Sequence, residues 1–258
     1  MSNSSWHPLQ LPSLGRYYGD KCPDGMVEVT PWTTAQEEEI VRHSQNPGKS
    51  NLVDKLLSAN VRYPNGFKYE ELVGADQHYL LLKIRTMSLS PFYSVEYICP
   101  RCEKTVPHQH NLEELDVTSP TEETTWDEPF KVVLPKCGAD VEFRHLRMKD
   151  VKSVQDYKNA DSAIPRDAIT FQFAKKIISV NGNSGMKFDE KRDFVKGLIM
   201  LDMEVFRDAA DRKDFGFSTE VTVQCPRCSH EHVVDLPINM GFFRACRADI
   251  ESAVAMVG

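Results

Sequence analysis

The sequence predicts an α+β fold: an N-terminal arm and helices, a zinc-ribbon-like β module assembled from two distant halves, and a helical insertion between those halves. Three observations carry this expectation. CPRC occurs twice, at Cys99–Cys102 and Cys225–Cys228. Each copy follows an alternating, strand-like run, SVEYI in one case and EVTVQ in the other. Between the copies the pattern switches at Met148 from period two to helical spacing. The expected organisation is an extended arm over 1–26, a helical region over 27–90, the first ribbon half plus a hairpin over 91–147, the helical insertion over 148–217, and the second ribbon half with the tail over 218–258.

The elements follow in order. LPSLGRYYG is rich in Pro and Gly and reads as extended chain, with a turn from Gly19 to Gly25. MVEVTPW alternates like a short strand. TTAQEEEIVRHSQ reads as a helix, with Thr34 and Glu37 spaced as a capping box and an acidic first turn that suits the positive end of the helix dipole. Asn46–Ser50 breaks it, and NLVDKLLSANV follows as a helix capped by Ser50. GADQHYLLLKIRTMS is so apolar around its circumference that it predicts a core helix. FYSVEYI leads into the first CPRC, and DVTSPTEETTWDEP reads as an exposed linker. FKVVLPKCGADVEFRHL predicts a hairpin with its tip at Pro135–Gly138.

MKDVKSVQDYKN and PRDAITFQFAKKIISV read as helices, the second with Pro165 at its favoured first position. After the NGNSG turn, DEKRDFVKGLI and LDMEVFRDAADRKD complete the helical section. TEVTVQ and HEHVVDL are the strands around the second CPRC, and the tail after Asn239 holds a short helix.

Composition narrows the function. The 258 residues are 41% hydrophobic, enough for a real core. The net charge of −7 argues against a broad basic face for a phosphate backbone. The first residues lack the basic cluster and apolar run of a secretory signal, and no apolar stretch is long enough to span a bilayer. These features suggest a soluble protein made in a reducing cytoplasm. Seven cysteines is an odd number, and a chain this long does not fit a secreted disulfide scaffold.

A CxxC on a tight turn places two thiolates on one ion, and a structural Zn²⁺ takes four ligands in a tetrahedron. The leading expectation is therefore one closed Zn²⁺ site made by Cys99, Cys102, Cys225 and Cys228. The 122 residues between Cys102 and Cys225 form a long loop. Loop entropy grows only logarithmically with length, so the gap does not forbid closure. A rival arrangement uses two ions, with His108 and His110 joining the first pair and His230 and His232 the second. It is weakened by the closeness of His230 to Cys228, which would strain the turn. A redox role fits poorly, because thioredoxin-like motifs open a helix and these lie in strand-turn-strand surroundings. Cys137 reads as a hairpin-tip residue, and Cys22 and Cys246 as structural or incidental thiols. His43, His78 and His145 read as surface positions. No nucleophile elbow, phosphate-binding Gly loop or HExxH is present, and four cysteines leave a zinc no open position for water.

Several stretches resemble a known family. LPSLGRYYG followed by MVEVTPWTTAQEEEIV is similar to the N-terminal signature of T4-type phage baseplate hub assembly proteins of contractile-tailed phages. DQHYLLLKIRTMS resembles that family's central helix, with its Asp, apolar run and Arg, and TVQCPRCSHEHVVDLPINMGFF resembles its C-terminal zinc-ribbon half. The likeness runs from about Leu11 to Phe243.

The resemblance implies a non-enzymatic hub component or assembly factor, made in the host cytoplasm and located in the virion. Its implied partners are other hub and wedge proteins, the tail tube initiator and the tape measure protein, and it is compatible with a homo-oligomer in the baseplate. A different class stays open: a zinc-ribbon factor that binds nucleic acid or polymerase through a surface near His108, His110, Arg101 and Arg227. The acidic balance weighs against that class. Two further questions also stay open. The apolar arm (Trp6, Leu9, Leu11, Leu14, Tyr17, Tyr18) either packs on its own domain or lies across a neighbour. Of Phe242 and Phe243, one is expected in the core and one at an interface.

Overall fold

The computed structural model describes residues 5–45, 52–159, 167–239, 241–245, 249–250 and 254. Ser50, Pro165 and Cys246, the Asn46–Ser50 break and the side chain of His43 lie outside the described residues. The described chain has seven α-helices and five small antiparallel sheets. It is therefore mixed α+β.

The first sheet explains the arm. Strands β1 (His7–Gln10), β2 (Met26–Val29) and β3 (Val61–Arg62) pair in the order β1-β2-β3. The chain from Leu11 to Gly25 forms a compact turn rather than an extended segment, closed by the Leu11 N–H on the Gly25 carbonyl at 2.9 Å. Gly15 and Gly25 make this turn possible: both have positive φ, and a Cβ at Gly15 would lie 2.5 Å from the Gly25 nitrogen. Leu11 and Tyr18 are buried in the main core, so this part of the arm folds against its own domain.

Helix α1 (Thr34–Gln45) is capped one residue earlier than the sequence suggests. The Thr33 N–H donates to Gln36 Oε1 at 2.7 Å, so Gln36 does the work assigned to Glu37. Helix α2 (Leu52–Asn60) buries Leu52, Leu56 and Leu57. Helix α3 (Gly74–Ser88) is the core helix that its apolar circumference predicts, with Leu80, Leu81, Leu82 and Ile84 buried.

Strands β4 (Phe92–Ile98) and β5 (Thr105–Asn111) form the first ribbon hairpin. The stretch 116–129 is not a free linker. Within it β6 (Val117–Thr118) pairs with a strand almost one hundred residues later, and Arg16 donates to the Glu123 carbonyl at 2.7 Å and to Asp127 at 2.9 Å.

Strands β7 (Phe130–Val133) and β8 (Asp140–Phe143) form the expected hairpin. Helix α4 (Met148–Asn159) follows. The run PRDAITFQFAKKIISV is not one helix: α5 (Ala168–Lys176) stops, and β9 (Ile177–Val180) adds to the hairpin as a third strand. Its β-branched Ile177, Ile178 and Val180 favour the pleated edge of β8 over further helix. Helices α6 (Phe188–Gly197) and α7 (Met200–Asp211) close this unit, and β10 (Gly216–Phe217) returns the chain beside β6. The second ribbon hairpin is β11 (Glu220–Gln224) with β12 (Glu231–Asp235). In the tail, residues 249, 250 and 254 are helical.

Two cores result. The larger joins the N-terminal sheet, α2, α3, both ribbon hairpins and the tail. The smaller is built on Phe130, Leu134, Val141, Phe143, Phe173 and Phe206. Hairpin β7–β8 thus packs with α5–α7, across the 147/148 boundary drawn from sequence. Tyr17 touches both cores. At this joint the His145 ring is edge-on to Tyr17, Phe130 and Phe215 at 4.9–5.4 Å, so His145 is not a surface residue. Arg147 and Glu128 brace the joint at 2.6 Å.

Candidate metal centre

The two CPRC knuckles follow the same backbone path. In the first, the Cys99 N–H donates to the Lys104 carbonyl at 3.0 Å and the Glu103 N–H to the Cys99 carbonyl at 2.9 Å. In the second, Cys225 donates to His230 at 2.9 Å and Ser229 to Cys225 at 2.8 Å. The residue after each second cysteine takes a positive φ, 55° at Glu103 and 56° at Ser229. This turn aims both thiols of a knuckle to the same side.

The knuckles meet. All four Sγ atoms of Cys99, Cys102, Cys225 and Cys228 lie within 4.8 Å of one another. Cys99 Sγ is 3.7 Å from Cys228 Sγ, and Cys102 Sγ is 3.8 Å from Cys225 Sγ. Four sulfurs at about 2.3 Å from a tetrahedral zinc stand about 3.8 Å from one another. These contacts are also far longer than the roughly 2.05 Å of a disulfide. The donor set and its spacing therefore fit a tetrahedral metal ion. Cys99 and Cys225 are buried, and Cys102 and Cys228 half-buried.

Cys99 and Cys228 are shifted in opposite directions. Burial acts to raise the Cys99 pKa. The N–H groups of Cys102 and Arg101, with neighbouring thiols, outweigh it and bring the value down to about 6. At Cys228 the His230 N–H lowers the pKa, but burial and the other three cysteines raise it to about 11. A divalent cation held by the four sulfurs would favour the thiolate form of each.

The histidines of the two-ion rival stay outside the cage. They form a stripe of rings along the inner faces of the hairpins. His110 and His108 are 5.8 Å apart between centroids, His108 and Tyr97 6.2 Å, Tyr97 and His232 5.0 Å, and His232 and His230 5.6 Å. Among the described residues, no other group of three or more ligating side chains converges. Cys137 is exposed at the hairpin tip, and Cys22 is buried with its thiol pushed up to about 11, chiefly by burial.

Helix α3 also carries a buried polar network. Arg85 of α3 is fully buried and donates to Asp249 at 3.2 Å and to the carbonyls of Phe242 and Ser90. Asp76, at the other end of the same helix, accepts from the Ser13 N–H at 3.0 Å and from the Tyr18 hydroxyl. Phe242 and Phe243 are both core residues, packed on Tyr93 and Trp32, so neither is held out as an interface anchor. The signal for the network was present as an Asp and an Arg inside a helix too apolar to spare them.

The fold and the site together define a mixed α+β chain whose two distant knuckles converge on a four-cysteine cage that could bind a metal ion. Residues 16–244 match the family of T4 bacteriophage base plate proteins, and the chain belongs to that family. No curated protein and no solved structure matches the chain. As a baseplate protein it interacts with other baseplate proteins of the phage. Among the described residues, no helix is long and apolar enough to cross a membrane.

Proposed function

We propose that Cys99, Cys102, Cys225 and Cys228 hold one structural Zn²⁺, and that the protein works in the baseplate hub as a docking piece without catalysis. The observation that carries this is the convergence of four thiols from two knuckles on one tetrahedron-sized cage. When bound, the metal supplies a cross-link and no reactive position, because all four ligands come from the protein. The cage ties the central helix region to the return of the chain and so holds the smaller core at a fixed angle. Family membership supports a place in the virion. The resemblance to hub assembly proteins supports hub and wedge proteins, the tail tube initiator and the tape measure protein as partners.

Metal analysis of Cys99→Ser and Cys225→Ser tests the cage. Each substitution is expected to abolish all bound zinc, whereas loss of half from either would establish two separate ions. Recovery of the tagged protein with baseplate intermediates from infected cells tests the placement, and its absence from every such intermediate would sink it.

A further inference from the structure

A groove opens where the start of α3, strand β10 and the chain after β12 come together. It encloses about 560 Å³, with Phe217, Leu236, Pro237 and Ile238 among its lining and Asp214 and Asp235 at the same surface. A narrow apolar crevice adjoins it, sharing Phe217, Leu236 and Ile238 and reaching Leu82 and Leu112.

The two carboxylates define what the groove accepts. Asp214 accepts the Phe215 N–H at 3.1 Å and Asp235 accepts the Thr219 hydroxyl. Among the described residues, neither has a cation in salt-bridge contact. The neighbouring Lys213 is turned away, with its ammonium 5.2 Å from the Trp126 ring centre. Lys176 and His78 feel the field of Asp214, and burial holds both below their ordinary pKa values. An anionic ligand or a phosphate backbone would be repelled here. A lysine or arginine suits the site, because its aliphatic stem covers apolar surface while its head meets a carboxylate.

We propose that this groove docks an extended segment of another baseplate protein, one that presents a lysine or arginine to Asp214 and Asp235 and an apolar side chain to Phe217, Leu236 and Ile238. This rests on the docking role above. The groove borders the central helix, strand β10, which returns the chain to the larger core, and the end of the second ribbon hairpin. One occupant therefore touches all three.

The full-length protein carrying photoreactive benzoylphenylalanine in place of His78 tests the groove in phage-infected cells. The expected product is an adduct to a different baseplate protein, at a peptide with a lysine or arginine beside the linkage. Asp214→Lys with Asp235→Lys is expected to cut that adduct and the incorporation into baseplates by about tenfold or more, since like charges placed opposite each other oppose binding strongly. Asp214→Asn with Asp235→Asn should fall between. Zinc content and circular dichroism report whether the variants fold. If loss of the Thr219 contact unfolds the double variant, Asp214→Lys alone and Ile238→Glu take its place.

An adduct that survives charge reversal overturns the proposal. So does an adduct to a second copy of this chain, an adduct to a segment without a cation, or the absence of any adduct while the protein still enters baseplates. If the wild-type protein never enters a baseplate, the docking role fails and takes this proposal with it.

Discussion

Residues 99–104 and 225–230 make the same turn with the same hydrogen bonds, yet the hairpins that carry them live in different surroundings. The first has two seven-residue strands, with Tyr93, Tyr97 and Val106 buried. Its Tyr93 hydroxyl donates to the Pro237 carbonyl at 2.7 Å. The second has two five-residue strands, and β12 has no buried residue at all. The turn is therefore set locally by CPRC and a residue that tolerates positive φ. Strand length and burial are set by what each hairpin packs against. Both hairpins bury residues in the larger core, the first Tyr93, Tyr97 and Val106 and the second Val221 and Val223 of β11 alone, so the second depends more on the cage and on the tail that follows.

Removing the proposed metal tests this contrast most severely. Structural zinc in small domains contributes on the order of 10 kcal/mol locally. Chelation is expected to expose the amides of Val221–Gln224 to hydrogen exchange well before those of Tyr93–Tyr97. Equal and simultaneous loss in both hairpins would erase the distinction.

Next in size is the tail. Asp249→Ala leaves the Arg85 guanidinium buried without its carboxylate, and breaking such a pair costs about 3–5 kcal/mol in urea unfolding. The second hairpin, which joins the tail through Leu236, is expected to loosen first. Replacing the pair by Arg85→Met with Asp249→Leu should recover most of the loss.

Acid is expected to weaken the joint between the two cores. Burial, helped by Lys176 and Arg147, brings the His145 pKa down to about 3. The unfolded chain takes up this proton near pH 6.5 and the folded chain does not, so stability falls as pH drops from about 6.5 toward 3. His145→Phe should flatten that part of the profile in equilibrium unfolding. An unchanged slope would show that other groups dominate it.

The smallest effect is the sharpest test of likeness between the knuckles. Glu103→Gly and Ser229→Gly relieve a left-handed backbone and are each expected to stabilise by about 0.5–1 kcal/mol. Glu103→Val and Ser229→Val should each destabilise by about 1–2 kcal/mol. Thermal unfolding that responds at only one of the two positions would show that the shared turn is not equally strained.

What sequence disclosed follows the same division between local and distant causes. The CPRC turns, the apolar helix Gly74–Ser88 and the hairpin around Pro135–Gly138 depend on neighbours in the chain, and each stands where the pattern put it. Strand β9 was hidden because Ile177–Val180 continues a helical rhythm, and only pairing with β8 breaks it. The arm hid its sheet for a related reason: HPLQ has no strand signature until Met26–Val29 lies beside it. The cage residues were legible from spacing, while their union across 122 residues was an inference from ligand number. Asp76 and Arg85 looked like polar marks on an apolar helix, because their partners Ser13, Tyr18 and Asp249 lie far away in sequence.

The long separation of the knuckles also fixes a sequence of events during synthesis. Cys99 and Cys102 leave the ribosome with no mate for their thiols, and the whole smaller core is translated before Cys225 appears. That unit can settle around its own aromatics in the meantime. A nascent chain that stalls inside it lacks Cys225 and Cys228 and cannot bring the four thiols of the cage together.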